Sequence, residues 1–230
     1  MSAASQRWTV ARLGTAQTLA WASSYYLPAM LAAPMAHDLG VATSTVFAAF
    51  SVALIVSALL GPCAGRAIDR HGGRPVLVGT NLLFAAALTG MALAQGPVGL
   101  FAAWVLMGVA MGSGLYEAAF ATLVRLFGQG ARSAITGITL IAGFASTVGW
   151  PLSAWLEAQV GWRGACFAWA GLHLLVGLPL YLVAAWYVTN LIYDRWGRMP
   201  LILEFAVYVG LGIVWVLPFR KLFSGIGKGE

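Results

Sequence analysis

The sequence predicts an all-α integral membrane protein of seven spans, and three observations predict it. Hydrophobic residues make up 60% of the 230 and charged residues only 9%, whereas a soluble domain carries about 25% charged residues, so a soluble fold is excluded. The apolar residues gather into seven long stretches, most of them near the roughly 20 residues an α-helix needs to cross hydrocarbon. Most of the charged residues collect in short separators, because bare backbone cannot be hydrogen-bonded in lipid and must leave it between helices.

Taken in order, the first stretch covers about 13–36, behind a polar and basic N-terminal segment, Met1 to Arg12. No small-residue cleavage pattern follows a short apolar core, so it reads as an uncleaved helix rather than a removable signal. His37-Asp38-Leu39-Gly40 separates it from the second, at 44–65. The third covers 75–95 and, past Gln95-Gly96-Pro97, the fourth covers 97–120. Gly128 to Arg132 precedes the fifth at 133–157, Gly161-Trp162-Arg163 the sixth at 164–188, and Asp194 to Pro200 the seventh at 200–218. The first three connections are turns only, which predicts antiparallel neighbours packed together. Gly108, Gly112, Gly114, Gly137, Gly143 and Gly149 recur within spans. Small residues allow close helix contact where burial from water supplies no drive; the other use of such a row is solute gating.

The formal charge is +6. In a soluble chain that would point to nucleic acid; here basic cytoplasmic loops account for it and no nucleic-acid partner is expected. Arg7 and Arg12 precede the first span, Arg66, Arg70 and Arg74 follow the second, and Arg125 and Arg132 follow the fourth. Arg163 is the one basic residue in the loops after spans one, three and five. This alternation puts the N-terminus and the even-numbered loops in the cytoplasm. Past the sixth span the pattern conflicts: Arg195 and Arg198 would lie inside, and Arg220, Lys221 and Lys228 outside. Cys63 and Cys166 are isolated in apolar stretches and read as small packing residues rather than a disulfide or metal site.

The separator Gly65-Arg66-Ala67-Ile68-Asp69-Arg70-His71-Gly72-Gly73-Arg74 is the most specific motif. Its spacing resembles the signature loop between the second and third membrane helices of the major facilitator superfamily, and the resemblance extends over about residues 10–185. It implies a transporter-derived fold: a six-helix major-facilitator-like half bundle at 1–185, then a loop, one additional C-terminal transmembrane helix and a basic tail at 186–230. It also implies a gating loop in which Asp69 and Arg70 bridge helix ends, with Gly65 and Gly72 allowing the tight turn and Arg74 as the following basic residue. Gly73-Arg74 departs from the family's adjacent basic pair, and Phe101 to Gly114 lacks the family's fourth-helix arginine. Gly143 to Trp150-Pro151-Leu152 loosely matches its fifth-helix glycine-proline motif, implying a kinked helix.

Solute contacts are sought among polar residues at membrane depth. Gln17, Trp21, Ser24 and Tyr25 share one face of the first span, read either as a stripe facing a small organic solute or as interhelical hydrogen bonding with aromatic filling. Glu117 is the most singular charge of the fourth span; such a residue faces a cavity or a partner, here Arg125 two turns on if both side chains bend, or it serves the interface. His173 stands alone in the sixth span and reads as a buried, hydrogen-bonded imidazole rather than a metal or haem ligand. No nucleotide-binding loop, nucleophile elbow or HExxH is present. No enzyme activity, metal or cofactor is expected.

From about His173 onward the chain resembles a small, two-helix bacterial membrane family of unknown function, whose members end in the pattern seen at Gly212, Trp215, Pro218, Phe219 and Arg220. Two functions follow as expectations. The first is a half-transporter for a small organic solute, acting as a homo-oligomer in the lipid bilayer of a bacterial inner membrane. The second is a non-catalytic accessory or assembly subunit docked to a larger, respiratory-type membrane complex.

Overall fold

The computed structural model describes residues 3–196, with side chains described over 7–175 except that of Arg74. Residues Met1–Gly177 form one compact unit and Leu178–Glu230 another; the second is helical as far as Trp196. The seventh span, at 200–218, Glu204 and the basic residues from Arg198 on lie outside the described residues.

Every regular element among the described residues is a helix. They are α1 (Ala3–Ser23), α2 (Leu27–Asp38), α3 (Thr43–His71), α4 (Gly73–Leu93), α5 (Pro97–Gly114), α6 (Tyr116–Phe127), α7 (Ala131–Ala142) and α8 (Ala145–Trp196), with one short 3-10 turn at Gly128–Gly130. Gly161, at φ 70°, divides α8 into two limbs. The stretches Thr43–His71, Pro75–Leu93 and Pro97–Leu175 are long and apolar enough to cross a membrane, the last being several helices in succession.

Three spans expected to be continuous are broken. The first parts at Ser24–Tyr26 into α1 and α2. Pro28 has no N–H to give the carbonyl of Ser24, so the α1 ladder cannot run on. Ser24 donates its hydroxyl to the Ala20 carbonyl at 2.6 Å, which bends a helix further. The fourth parts at Leu115, just beyond Gly112 and Gly114, residues that hold a helix weakly, and then runs on to Phe127. The fifth parts at Gly143–Phe144, not at Pro151, through which α8 stays helical. At the N-terminus α1 begins at Ala3, so Arg7 and Arg12 belong to the helix rather than to a preceding tail.

The core lies around α5, which packs on α3 and α4, while α1 packs on α7. Leu27, Leu31, Met35, Leu88, Leu100, Trp104 and Met107 are wholly enclosed. Contact is close because the glycines leave room: a Cβ on Gly112 would fall 2.8 Å from the carbonyl of Ser57 in α3, and one on Gly114 would fall 2.7 Å from the Thr80 side chain in α4. The small-residue row is therefore a packing row. Cys166 is buried as expected, whereas Cys63 is exposed, accepting from Arg66 Nη2 at 3.1 Å. Large apolar side chains such as Ile55, Leu59 and Leu140 are more than half exposed, the pattern of a surface solvated by hydrocarbon.

A charged clasp closes one end. Arg163, just past the Gly161 break, reaches Asp38 Oδ2 through Nε at 3.0 Å and Nη2 at 2.9 Å, and donates from Nη1 to the carbonyl of Ala92 at 2.6 Å. Trp162 Nε1 donates to the same Asp38 oxygen at 3.1 Å, and the guanidinium stacks 4.4 Å from the indole. The ends of α2 and α4 and the second limb of α8 meet there.

Candidate functional site: the broken-helix face

The two breaks at Ser24–Tyr26 and Leu115 come together in space. Gln17, about two turns before the first break, donates from Nε2 to the carbonyl of Gly114, the residue before the second, at 3.0 Å. Tyr26 N–H bonds the carbonyl of Trp21, five residues back, at 3.2 Å, a π-type turn that carries the chain out of α1. Rings then line the junction. Trp21 stands 5.0 Å from Tyr116 and 5.4 Å from Tyr25, Tyr25 meets Phe50 at 5.5 Å, and Phe50 meets Trp104 at 5.2 Å. Tyr116 also stacks on Phe120 at 5.2 Å, and Tyr26 meets Trp150 edge-on at 6.0 Å. Three polar atoms here are enclosed without a partner: Gln17 Oε1, Trp21 Nε1 and Trp104 Nε1.

The residues singled out from sequence divide between this face and the far end of the bundle. Trp21 is partly exposed and Tyr25 is 43% exposed on the junction, but Gln17 is enclosed among the helices rather than lying on the open face. Ser24 is buried, its hydroxyl spent on its own helix. Glu117 is exposed in the first turn of α6, directly after Tyr116. Arg125 does not reach back to it; its guanidinium lies against Gly72, 3.1 Å from where a Cβ would be.

The charged motif is less of a loop than its composition implies. Gly65, Asp69 and Arg70 all belong to α3, and Arg74 lies in the first turn of α4; Gly72 alone leaves the helical conformation, at φ 83° and ψ 159°. Gly65 has open space where a Cβ would stand and makes no turn, so the turn-forming role expected of it falls to Gly72. Asp69 and Arg70 are exposed and form no ion pair among the described residues. The contacts joining α6 to this turn are Arg125 over Gly72 and Thr122 with the Ala118 carbonyl against Gly73, none of which the motif announced. Gly72→Ala is expected to cost about 1–3 kcal/mol, since that backbone region is essentially glycine's. A thermal melt in detergent checks it, and an unchanged midpoint would remove the requirement.

Behind the junction, His173 is fully enclosed and bonded on both nitrogens. Asn81 gives its Nδ2 to the Leu77 carbonyl at 2.7 Å, so its Oδ1 must accept, and His173 Nδ1–H donates to it across 2.9 Å. Nε2 is then free to accept from Ser23 Oγ at 2.7 Å, and the ring stacks 4.8 Å from Phe84. Sequence flagged the histidine but neither partner. On the opposite side of α1 an open, almost wholly apolar crevice of about 370 Å³ is lined by Thr15, Thr18, Leu140, Ile141, Phe144 and Val148. Thr18 there already bonds Gly14 and Ile141 carbonyls.

A sequence model of the Major Facilitator Superfamily matches residues 13–191. A model of a family described as protein of unknown function (DUF2842) matches residues 167–229, overlapping the first over the sixth span. The chain is similar to the uncharacterized 38 kDa protein in the 23S RNA operon of Thermoproteus tenax, at 36% identity over 157 residues that make up 66% of this chain and 40% of that protein. It therefore spans less than half the length of that relative. Its apolar helices, its motif turn at Gly72 and the match over residues 13–191 agree: the chain belongs to the Major Facilitator Superfamily.

Proposed function

We propose that this transporter-like membrane protein is one half of a solute-transport unit, and that two copies oppose their broken-helix faces around a central path for a small organic solute. The observation that carries this is the meeting of the breaks in the first and fourth spans. Discontinuous helices recur at transporter binding sites, where unwound backbone lines a cavity instead of lipid. Alternating access needs two bundles rocking about such a site, and residues 13–191 amount to one. The exposure of Tyr25 at 43% and of Trp150 at 42% supports an opposing surface on this face. The basic loops favour an inner-membrane setting with the N-terminus cytoplasmic, and the gating contacts then lie at Gly72, beside Asp69 and Arg70.

Extraction in mild detergent, mass determination by light scattering, and uptake of labelled phenethylamine, benzoate and glucose into vesicles test the reading. A homodimer that takes up at least one of the three is the expected result. The second family match at residues 167–229 favours the other reading, an accessory subunit. Stoichiometric co-purification with unrelated subunits, without uptake, would replace transport by that role.

A further inference from the structure

We propose that the Ser23 hydroxyl is a two-position switch through which the sixth span sets the bend of the first span at the ring junction. The proposal stands on contacts within one bundle and does not depend on the transport reading.

Ser23 is the last residue of α1, immediately before the break that carries Tyr25 and Tyr26. Its hydroxyl has one proton to give and three acceptors in reach: the Leu19 carbonyl at 2.8 Å, the Ala20 carbonyl at 3.4 Å and His173 Nε2 at 2.7 Å. Ser23 and His173 are both wholly enclosed, so the choice is made among these groups. They are unequal. The Leu19 carbonyl already accepts the Ser23 N–H of the helical ladder, whereas Nε2 has no other hydrogen-bond partner among the described residues. The far side of the ring fixes what Nε2 needs. Asn81 gives Nδ2 to the Leu77 carbonyl, its Oδ1 takes Nδ1–H, and Nε2 is left with a lone pair. Stacking on Phe84 at 4.8 Å holds the ring in that plane. The resting position of the proton is therefore on His173.

The second position is mechanical. A serine hydroxyl bonded to the carbonyl four residues back bends its own helix. Leu19 lies one turn before the end of α1, so the added bend falls around Trp21, whose ring stands 5.4 Å from Tyr25 and 5.0 Å from Tyr116 at the second break. Withdrawal of His173, carried on the second limb of α8, sends the proton to Leu19 and tilts these rings; its return takes the proton back. The hydroxyl is a satisfied donor in both positions, which is what makes the switch reversible. Ser23, His173 and Asn81 thus join the first, sixth and third spans in one relay.

The test uses the full chain in nanodiscs, with spin labels on Ala11→Cys in α1 and Ala33→Cys in α2, both exposed, and Cys63→Ser to remove the other exposed thiol. At helical rise the labelled positions stand on the order of 30 Å apart, within range of pulsed electron–electron distance measurement. His173→Leu forces the hydroxyl onto Leu19 and is expected to shift the mean distance by on the order of 2 Å or more, which a sharp bend makes over an arm of a few turns. Ser23→Ala and S23A/H173L have no hydroxyl to move and keep the parent distance. The proposal is overturned by an unshifted H173L, by a shift in S23A alone, or by a shift that persists in S23A/H173L, which is repacking rather than the hydroxyl. If H173L does not fold, nitrogen NMR of protein labelled in its histidine rings decides, with the exposed His37 and His71 assigned through H37N and H71N. The His173 ring must carry its proton on Nδ1, and S23A must move the Nε2 resonance. A ring protonated on Nε2 instead, or an Nε2 signal indifferent to S23A, overturns it.

Discussion

Gly108→Leu is expected to pull α5 away from α3 and to lower stability by about 3 kcal/mol or more, at the upper end of what overpacking costs. A Cβ at this position would stand 2.9 Å from Ala53 Cα and 2.9 Å from Val56 Cβ. Two of the obstacles are backbone atoms of Ala53, so no side-chain rotation relieves the clash and the helices themselves must separate. The α3–α5 seam depends on this closeness, because packing and not escape from water holds membrane helices together. Gly65→Ala is the control: it lies in the same α3 with open space where the Cβ would go, and should gain about 0.5–1 kcal/mol from lost chain freedom. Thermal or denaturant unfolding in detergent reads both. A Gly108→Leu protein as stable as the parent would mean that the seam is not close-packed.

Replacing His173 with Leu should cost roughly 2–4 kcal/mol, the sum of one orphaned polar group and a lost ring stack. The orphan is Asn81 Oδ1, whose donor disappears while its own Nδ2 stays on the Leu77 carbonyl. Ser23 suffers less, since its hydroxyl can still reach the Leu19 carbonyl at 2.8 Å. Removing Asn81 as well takes away the orphan, so H173L/N81L should recover much of the loss. A double-mutant cycle reads the coupling directly; strict additivity would show that the imidazole and the amide do not act as a pair.

What the sequence showed and what it hid divide along physical lines. Span positions were legible because hydropathy is summed over about 20 residues and survives local irregularity. The breaks were not, because each turns on a few backbone groups: a missing N–H at Pro28, and the hydroxyl of Ser24 bonded back to its own helix. Charge also misled locally. Arg66, Asp69, Arg70 and His71 look like a loop by composition, yet α3 simply projects to His71 and only Gly72 turns. In the candidate site, Trp21 and Tyr25 could be placed on one face by helical period alone. The partners of His173 lie 92 and 150 residues away in the chain, and Gly114, which receives Gln17, is 97 away. A single sequence carries no trace of contacts at that range.

Those separations also set a timetable for synthesis. Asp38 and Arg163 are 125 residues apart and Ser23 and His173 are 150 apart. At about 5–20 residues per second, the first span waits on the order of 6–30 s for the residues that will clasp it. Through that interval α1 and α2 are already in the bilayer, while Asp38 has no guanidinium to meet and Ser23 no imidazole. The bundle is thus closed by its sixth span, the second limb of α8. A ribosome halted before Arg163 would leave five spans made and the Asp38 clasp still open.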